Sequence, residues 1–122
     1  MVLRRIQPLI SVIIATTGLR NIGPCIKSLQ SQTYKNYEII IISKRQIKKP
    51  ETIPIEAGRS IKINVLTELN MSQARNKGVS LSRGEIIAFI DDDVILPTHW
   101  AENIVKEFSY NCDVVGGRKG SA

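Results

Sequence analysis

The sequence predicts a single α/β domain in which a mostly parallel sheet is covered by helices on both faces. Four short apolar runs rich in isoleucine recur along the chain, and segments with helical features follow three of them. Such alternation is typical of parallel sheets, whose strands are buried on both faces and therefore read as continuous apolar runs. The length of 122 residues suits one core of ordinary size, so residues 1–122 are taken as one domain.

The first half of the chain predicts two strands, one helix and one loop. Residues 9–15 (LISVIIA) are a β-branched run and predict a buried strand, followed by a turn at residues 16–18 (TTG). Pro24 suits the first turn of a helix that we expect to end near Gln32. A second strand is predicted at residues 37–42 (YEIIII). Residues 43–60 hold two prolines, one glycine and four clustered cations without periodicity, and predict an exposed loop.

The next segment predicts a third strand, a second helix and a fourth strand. The third strand is short and covers residues 62–66 (KINVL). Either Asn70 or Ser72 can cap the helix, which we expect to run to about Ser82, with Gly84 just beyond its end. The fourth strand covers residues 85–90 (EIIAFI).

The last elements are a third helix and the start of another strand. Pro97 and Thr98 suit the beginning of a helix. A fifth strand is expected to begin within residues 113–115. The residues that we expect on the inner face of the helix are Ala101, Ile104, Val105 and Phe108.

Composition and charge exclude few functions, but they indicate which kinds of partner and which cellular compartment to expect. The net charge is +6, and residues 91–122 are acidic while residues 1–90 are basic. Aromatic residues make up only 5%, so little material exists for stacking nucleic-acid bases, and we expect no nucleic-acid partner. The start of the chain lacks the features of a signal peptide, and Cys25 and Cys112 show no metal-ligand spacing. We expect both cysteines to be reduced in a cytoplasmic protein.

Polar residues follow three of the predicted strands. They are Thr16 and Thr17 after the first, Ser43 after the second, and Asp91, Asp92 and Asp93 after the fourth. In parallel sheets the carboxyl ends of the strands meet at one edge, where ligands bind. The sequence therefore predicts a ligand site that combines hydroxyl groups with carboxylates.

The three consecutive carboxylates have two explanations. One is a solvated turn in which an aspartate caps the following segment. The other is a site for a hard divalent cation, because Mg²⁺ and Mn²⁺ prefer carboxylate oxygens. Side chains two apart on an extended segment point the same way, so Asp91 and Asp93 could share one side. His99 is the only histidine, which argues against zinc.

Five segments, in order, resemble segments of family 2 glycosyltransferases, which are inverting enzymes with the GT-A fold. Residues 91–100 (DDDVILPTHW) resemble the family's Asp-x-Asp segment. The resemblance covers about residues 8–118 and implies the Rossmann-like, nucleotide-sugar-binding half of that fold. The other similar segments are residues 11–16 (SVIIAT), 28–34 with 37–40 (SLQSQTY, YEII), 74–78 with 84–90 (ARNKG, GEIIAFI) and 114–118 (VVGGR).

The resemblance implies roles for the residues that match. Asp93 would coordinate Mn²⁺ or Mg²⁺, with Asp91 ligating directly or through water. Asp91 or Asp92 would hold the nucleotide ribose, and Thr16 would line the base and ribose pocket. The implied reaction transfers a sugar from a nucleoside-diphosphate sugar to a hydroxyl of a saccharide or lipid-linked acceptor, with inversion.

Three further positions are less clearly implied. Arg75 and Asn76 would either contact the diphosphate or only brace their helix. Ser43 stands where family members usually carry an aspartate that reads the base, so donor recognition should be weaker or different, because a serine cannot make a charge-assisted hydrogen bond. The family's catalytic base and acceptor site would lie beyond residue 122. We therefore expect the isolated chain to be inactive.

Three functional hypotheses stay open from the sequence. The first is a glycosyltransferase donor-binding domain that needs more chain or a partner, as in a truncated or split enzyme. The second is a binding module that holds nucleotide and metal without transfer. The third, a phosphoacceptor receiver, is disfavoured because the first strand is followed by threonines and not by an acidic pair. The short sheet also predicts self-association, and the implied acceptors are compatible with peripheral contact at the inner face of the membrane.

Overall fold

The computed structural model describes residues 7–47 and 61–110 and confirms the predicted α/β class. All four strands pair in parallel, in the order β3-β2-β1-β4. The elements, in chain order, are β1 (Ile10–Thr16), α1 (Gly23–Gln30), β2 (Tyr37–Ser43), β3 (Ile61–Val65), α2 (Met71–Leu81), β4 (Ile86–Ile90) and α3 (Trp100–Tyr110).

Helices cover both faces of the sheet, as the apolar strands predict. Alternate residues of β1 point to opposite faces, because side chains of a strand alternate. Ile10, Val12 and Ile14 pack in one cluster with α1 and α3, and Ile13 and Ala15 pack in a second cluster with α2. Both central strands are buried along their whole length, which explains their unbroken apolar sequences.

The predicted boundaries differ from the observed ones by at most three residues. Of the two candidate caps for α2, the structure uses Asn70, whose side chain accepts from the Gln73 N–H in a capping box. The prediction that an exposed loop begins at Ser43 is wrong, because Ser43 is the last residue of β2 and is fully buried. Residues 48–60 of that predicted loop lie outside the described residues.

The structure confirms the predicted inner face of α3 and the predicted burial of one of the two cysteines. Ala101 and Ile104 are buried, and Val105 and Phe108 pack against the same cluster. Cys25 is buried and free. Cys112 and the predicted fifth strand lie outside the described residues. None of the helices in the described part of the chain is both long enough and apolar enough to cross a membrane.

Candidate functional site

The carboxyl edge of the sheet brings together the turns after β1, β2 and β4. Thr16 pairs in register with Ser43, and Ile14 pairs with Ile90. Ile90 ends β4 two positions before Thr16 ends β1. The turn that holds Asp91, Asp92 and Asp93, called here the acidic turn, therefore lies beside the end of β1. The edge thus has the composition that the sequence predicts.

Thr16 and Asp92 join two of these turns directly. The Thr16 hydroxyl donates to Asp92 Oδ2 at 2.7 Å, and it accepts from the Gly18 N–H at 3.1 Å. Thr16 is fully buried, and the Asp92 side chain is only 13% exposed. Since this hydroxyl uses both its donor and its acceptor capacity, it fixes Asp92 against the turn after β1.

Arg20 contacts two of the three carboxylates. Its Nε lies 3.4 Å from Asp92 Oδ1, and its Nη1 lies 3.2 Å from Asp93 Oδ2. The side chains of Arg20 and Asp93 are 60% and 54% exposed. The positive group beside the aspartates is therefore an arginine from the loop after β1, a residue that our sequence analysis did not single out.

The aspartates lie in a turn and not in an extended segment. Asp92 and Asp93 have turn geometry, so the alternation expected for Asp91 and Asp93 does not apply. The Asp91 carbonyl accepts from the Val94 N–H at 3.4 Å and from the Cys25 thiol at 3.7 Å, while Asp91 itself is exposed. Within this turn, the two carboxylates held by a common partner are those of Asp92 and Asp93.

Cys25 lies under the acidic turn and stays a thiol. Burial raises its pKa to about 11, and the negative charges of Asp92 and Asp93 add to that effect. A cysteine binds metals and attacks substrates as the thiolate. At neutral pH Cys25 is therefore a thiol and a poor nucleophile, and its contact with the Asp91 carbonyl links α1 to the acidic turn.

Gln32 fixes the segment that follows the aspartates. Its side-chain amide donates to the Pro97 carbonyl at 2.7 Å and accepts from the Ala101 N–H at 2.9 Å. Gln32 is fully buried. These bonds tie the residues after α1 to the start of α3, and the bond between Thr16 and Asp92 fixes the other end of the segment between β4 and α3.

Ser43 lies at the edge, but its hydroxyl is already used. It donates to the Arg45 carbonyl at 2.6 Å and accepts from the Arg45 N–H at 3.2 Å. A Cβ added to Gly18, which has a φ of +88°, would lie 2.9 Å from the Ser43 hydroxyl. The turn after β1 therefore covers Ser43, and Arg45 reaches back to the Thr17 carbonyl at 3.0 Å.

Arg75 and Asn76 lie in α2, on the opposite face of the sheet from α1. Arg75 is half-buried and Asn76 is exposed. Within residues 7–47 and 61–110, no hydrogen bond or ion pair connects either side chain to the aspartates. The structure thus places them in the middle of the helix that follows β3, without bringing them into the acidic turn.

The donor set of the acidic turn fits a divalent cation only in part. In the described part of the chain, no group of three or more histidine, cysteine, aspartate or glutamate side chains is arranged to hold a metal ion. Asp92 and Asp93, however, direct one oxygen each at a common positive group. Two carboxylates completed by phosphate oxygens and water are a usual environment for Mg²⁺.

The comparisons with known proteins agree with one another. The sequence profile described as Glycosyl transferase family 2 matches residues 11–121. The amylovoran biosynthesis glycosyltransferase AmsB of Erwinia amylovora is 33% identical over 88 residues, which are 67% of this chain and 29% of AmsB. The glycosyltransferase AglE of Haloferax volcanii is 32% identical over 118 residues, which are 90% of this chain and 39% of AglE.

A solved structure shows the same fold. The crystal structure of residues 1–349 of TarS from S. aureus aligns with a TM-score of 0.67 at 18% identity, over 82% of this chain and 32% of that chain. The chain spans about a third of the length of the curated relatives it matches.

Proposed function

Because the chain belongs to glycosyl transferase family 2, we propose that the carboxyl edge of its sheet binds a nucleoside-diphosphate sugar. The sugar would pass to an acceptor hydroxyl with inversion at the anomeric carbon. The observation that carries this proposal is the 2.7 Å bond between Thr16 and Asp92. It joins the turns after β1 and β4 into one polar surface, within the part of the chain that matches the family.

The residues of that surface divide into two roles. Asp92 would hold the ribose. Thr16 would line the base and ribose pocket by fixing Asp92 in place, because its buried hydroxyl already bonds Asp92 and Gly18. Asp93, with Asp91 or Asp92, would hold Mn²⁺ or Mg²⁺. When bound, the cation would offset the negative charge that develops on the leaving diphosphate.

Arg45 is a better candidate than Ser43 for a direct contact with the nucleotide. Ser43 is buried and its hydroxyl is engaged, whereas Arg45 is exposed at the same edge. A guanidinium offers only donors, so it would favour acceptor atoms of a base or phosphate oxygens. For Arg75, the half-buried position in α2 supports bracing of the helix more than contact with the diphosphate.

The carboxylates of α3 do not serve as the catalytic base in this proposal. Glu102 accepts hydrogen bonds from Thr33 at 2.7 Å and from His99 at 3.2 Å. These two hydrogen bonds lower the pKa of Glu102. A catalytic base needs a pKa close to the working pH, and these contacts move the pKa of Glu102 further below that range. Glu102 is instead a fixed contact between α3 and the segment after α1.

Calorimetric titration of the chain with UDP and GDP, each with Mn²⁺ or with EDTA, tests the proposal. We expect tighter binding with Mn²⁺, and we expect Asp93→Ala to remove the dependence on metal while the fold survives. Glu107→Ala is the matched control, because it removes an exposed carboxylate from α3. Absence of binding to both nucleotides in both conditions would refute the donor site. Equal affinity with and without metal would refute only the role of the cation.

The second candidate is a module that binds nucleotide without transferring sugar. It is favoured by the engaged hydroxyl of Ser43, at a position where the family usually carries an aspartate. The two candidates differ in turnover. Formation of a labelled product from a panel of nucleotide sugars and simple acceptors would exclude the binding module.

A further inference from the structure

Arg20 and a divalent cation would need the same carboxylate oxygens. Of the two oxygens of Asp92, Oδ2 accepts from Thr16 and Oδ1 faces Arg20 Nε. Asp93 Oδ2 faces Arg20 Nη1. A cation between the two carboxylates would therefore lie where the guanidinium now lies, and like charges cannot share that space.

We infer that Arg20 is a built-in competitor of the metal, so that the cation binds Asp92 and Asp93 only by displacing the guanidinium. This inference rests on the proposed function and adds to it a residue that sets the affinity for metal. An arginine stays charged at every physiological pH, so it cannot release the carboxylates by losing a proton. Release requires movement of the side chain.

The exposure of the pair makes that movement feasible. Arg20 is 60% exposed and Asp93 is 54% exposed, so water can solvate both groups once they separate. Exposed ion pairs contribute little, because solvent screens them and because two long side chains lose freedom. Arg20 should therefore lower the affinity for metal without abolishing it. A guanidinium that permanently replaced the cation would instead prevent metal binding.

An alternative role is purely structural, with Arg20 holding the acidic turn in shape. The bonds already described argue against it, because Thr16 holds Asp92, and Gln32 anchors the segment after the turn. The two roles predict opposite effects of removing the guanidinium. A competitor lowers the affinity for metal, so its removal raises that affinity. A structural support orders the ligands, so its removal lowers it.

The test compares the chain with its Arg20→Gln and Arg83→Gln variants by titration with Mn²⁺ alone, monitored through the electron paramagnetic resonance signal of the free ion. Arg83 is the matched control, because it is an exposed arginine that precedes β4, and a strand of five residues, about 16 Å long, separates it from the aspartates. We expect Arg20→Gln to bind Mn²⁺ about three- to tenfold more tightly and Arg83→Gln to bind like the unaltered chain. Asp93→Asn introduced into Arg20→Gln should remove the gain.

The other outcomes overturn the inference in distinguishable ways. Equal affinity of the unaltered chain and Arg20→Gln would exclude competition and leave the proposed function intact. Weaker binding by Arg20→Gln would assign Arg20 the structural role. If neither chain binds Mn²⁺ alone, the inference fails, and the titrations of UDP with Mn²⁺ and with EDTA decide the metal role separately. A parallel titration with UDP in EDTA then shows whether the donor site remains.

Discussion

Glu38, near the amino edge of the sheet, and Asp93, at the carboxyl edge, are both carboxylates, but their surroundings differ. The Glu38 side chain is 2% exposed, whereas that of Asp93 is 54% exposed. Oε2 of Glu38 accepts from the Ser11 hydroxyl at 2.6 Å and from the Arg83 N–H at 2.7 Å, and Lys62 Nζ lies 3.7 Å from Oε1. Among the described residues, the partner of Asp93 is the exposed side chain of Arg20.

The difference separates a carboxylate that serves the fold from one that is available to a ligand. Glu38 ties three strands and the segment before β4 together, since its partners come from β1, β3 and that segment. A backbone N–H and a buried hydroxyl cannot leave without unfolding that edge. An exposed guanidinium can leave. The carboxylates of the carboxyl edge are therefore accessible to the cation that we propose, and Glu38 at the amino edge is not.

The largest expected effect comes from removing the buried carboxylate. Glu38→Ala should lower the free energy of unfolding by about 3 kcal/mol, because it leaves buried donors and two cations without their acceptor. Asp93→Ala should change that free energy by less than about 0.5 kcal/mol, because exposed pairs contribute little. Urea unfolding of both variants measures the contrast. Similar losses of unfolding free energy in the two variants would show that both carboxylates stabilise the fold to the same extent.

The second effect concerns the turn that shapes the carboxyl edge. Gly18 has a φ of +88°, and a Cβ there would lie 2.8 Å from the Arg45 Cβ. Gly18→Ala should therefore cost about 1–2 kcal/mol of unfolding free energy and weaken nucleotide binding. The control is Gly23→Ala, where the added Cβ meets only the side chain of Asn21, at 3.1 Å. Equal losses of unfolding free energy in the two variants would show that the turn after β1 does not specifically require a glycine at position 18.

A smaller effect is the pH dependence that Glu38 adds to stability. Burial alone would raise its pKa, but hydrogen bonds from Ser11 and Arg83 and the charges of Lys62 and Arg83 together lower it. The unfolded chain, with a Glu pKa of about 4.3, therefore takes up this proton before the folded chain does. The stabilisation is complete above that pKa and is lost as pH falls through the lower pKa of the folded state.

Glu38→Gln should thus reduce the slope of unfolding free energy against pH below about pH 4. Urea unfolding at several pH values measures the slope, and Glu107→Gln, which alters an exposed side chain of α3, is the control. An unchanged slope in Glu38→Gln would show that the amino edge does not prefer the charged carboxylate.

The fold was largely predictable because its signals are local. The isoleucine run of β2 can be buried on both faces only inside a covered parallel sheet, and Asn70 lies three residues before Gln73, as a capping box requires. The positions of Thr16 and the aspartates at one edge follow from the parallel order of the strands. Predicted boundaries differ from the observed ones because helix and strand ends depend on a few weak hydrogen bonds.

The contacts of the site were not predictable, because they depend on where loops turn. Arg20 carries no periodic signal, and only the structure shows that it meets Asp92 and Asp93. Ser43 looked exposed because cations follow it, yet the close approach of Gly18 buries it. The sequence predicts Glu38 only as part of a strand, and its role becomes visible with its partner Ser11 in the neighbouring strand.

The most direct test of the difference between the two edges is the location of bound Mn²⁺. In a ¹⁵N–¹H NMR spectrum of the chain with UDP, traces of Mn²⁺ broaden the amide signals nearest to the ion. We expect selective broadening for Gly18, Asp92 and Asp93, while the signals of Glu38 and Arg83 stay sharp. Broadening at Glu38 and Arg83 that equals or exceeds that at Asp92 would contradict this expectation.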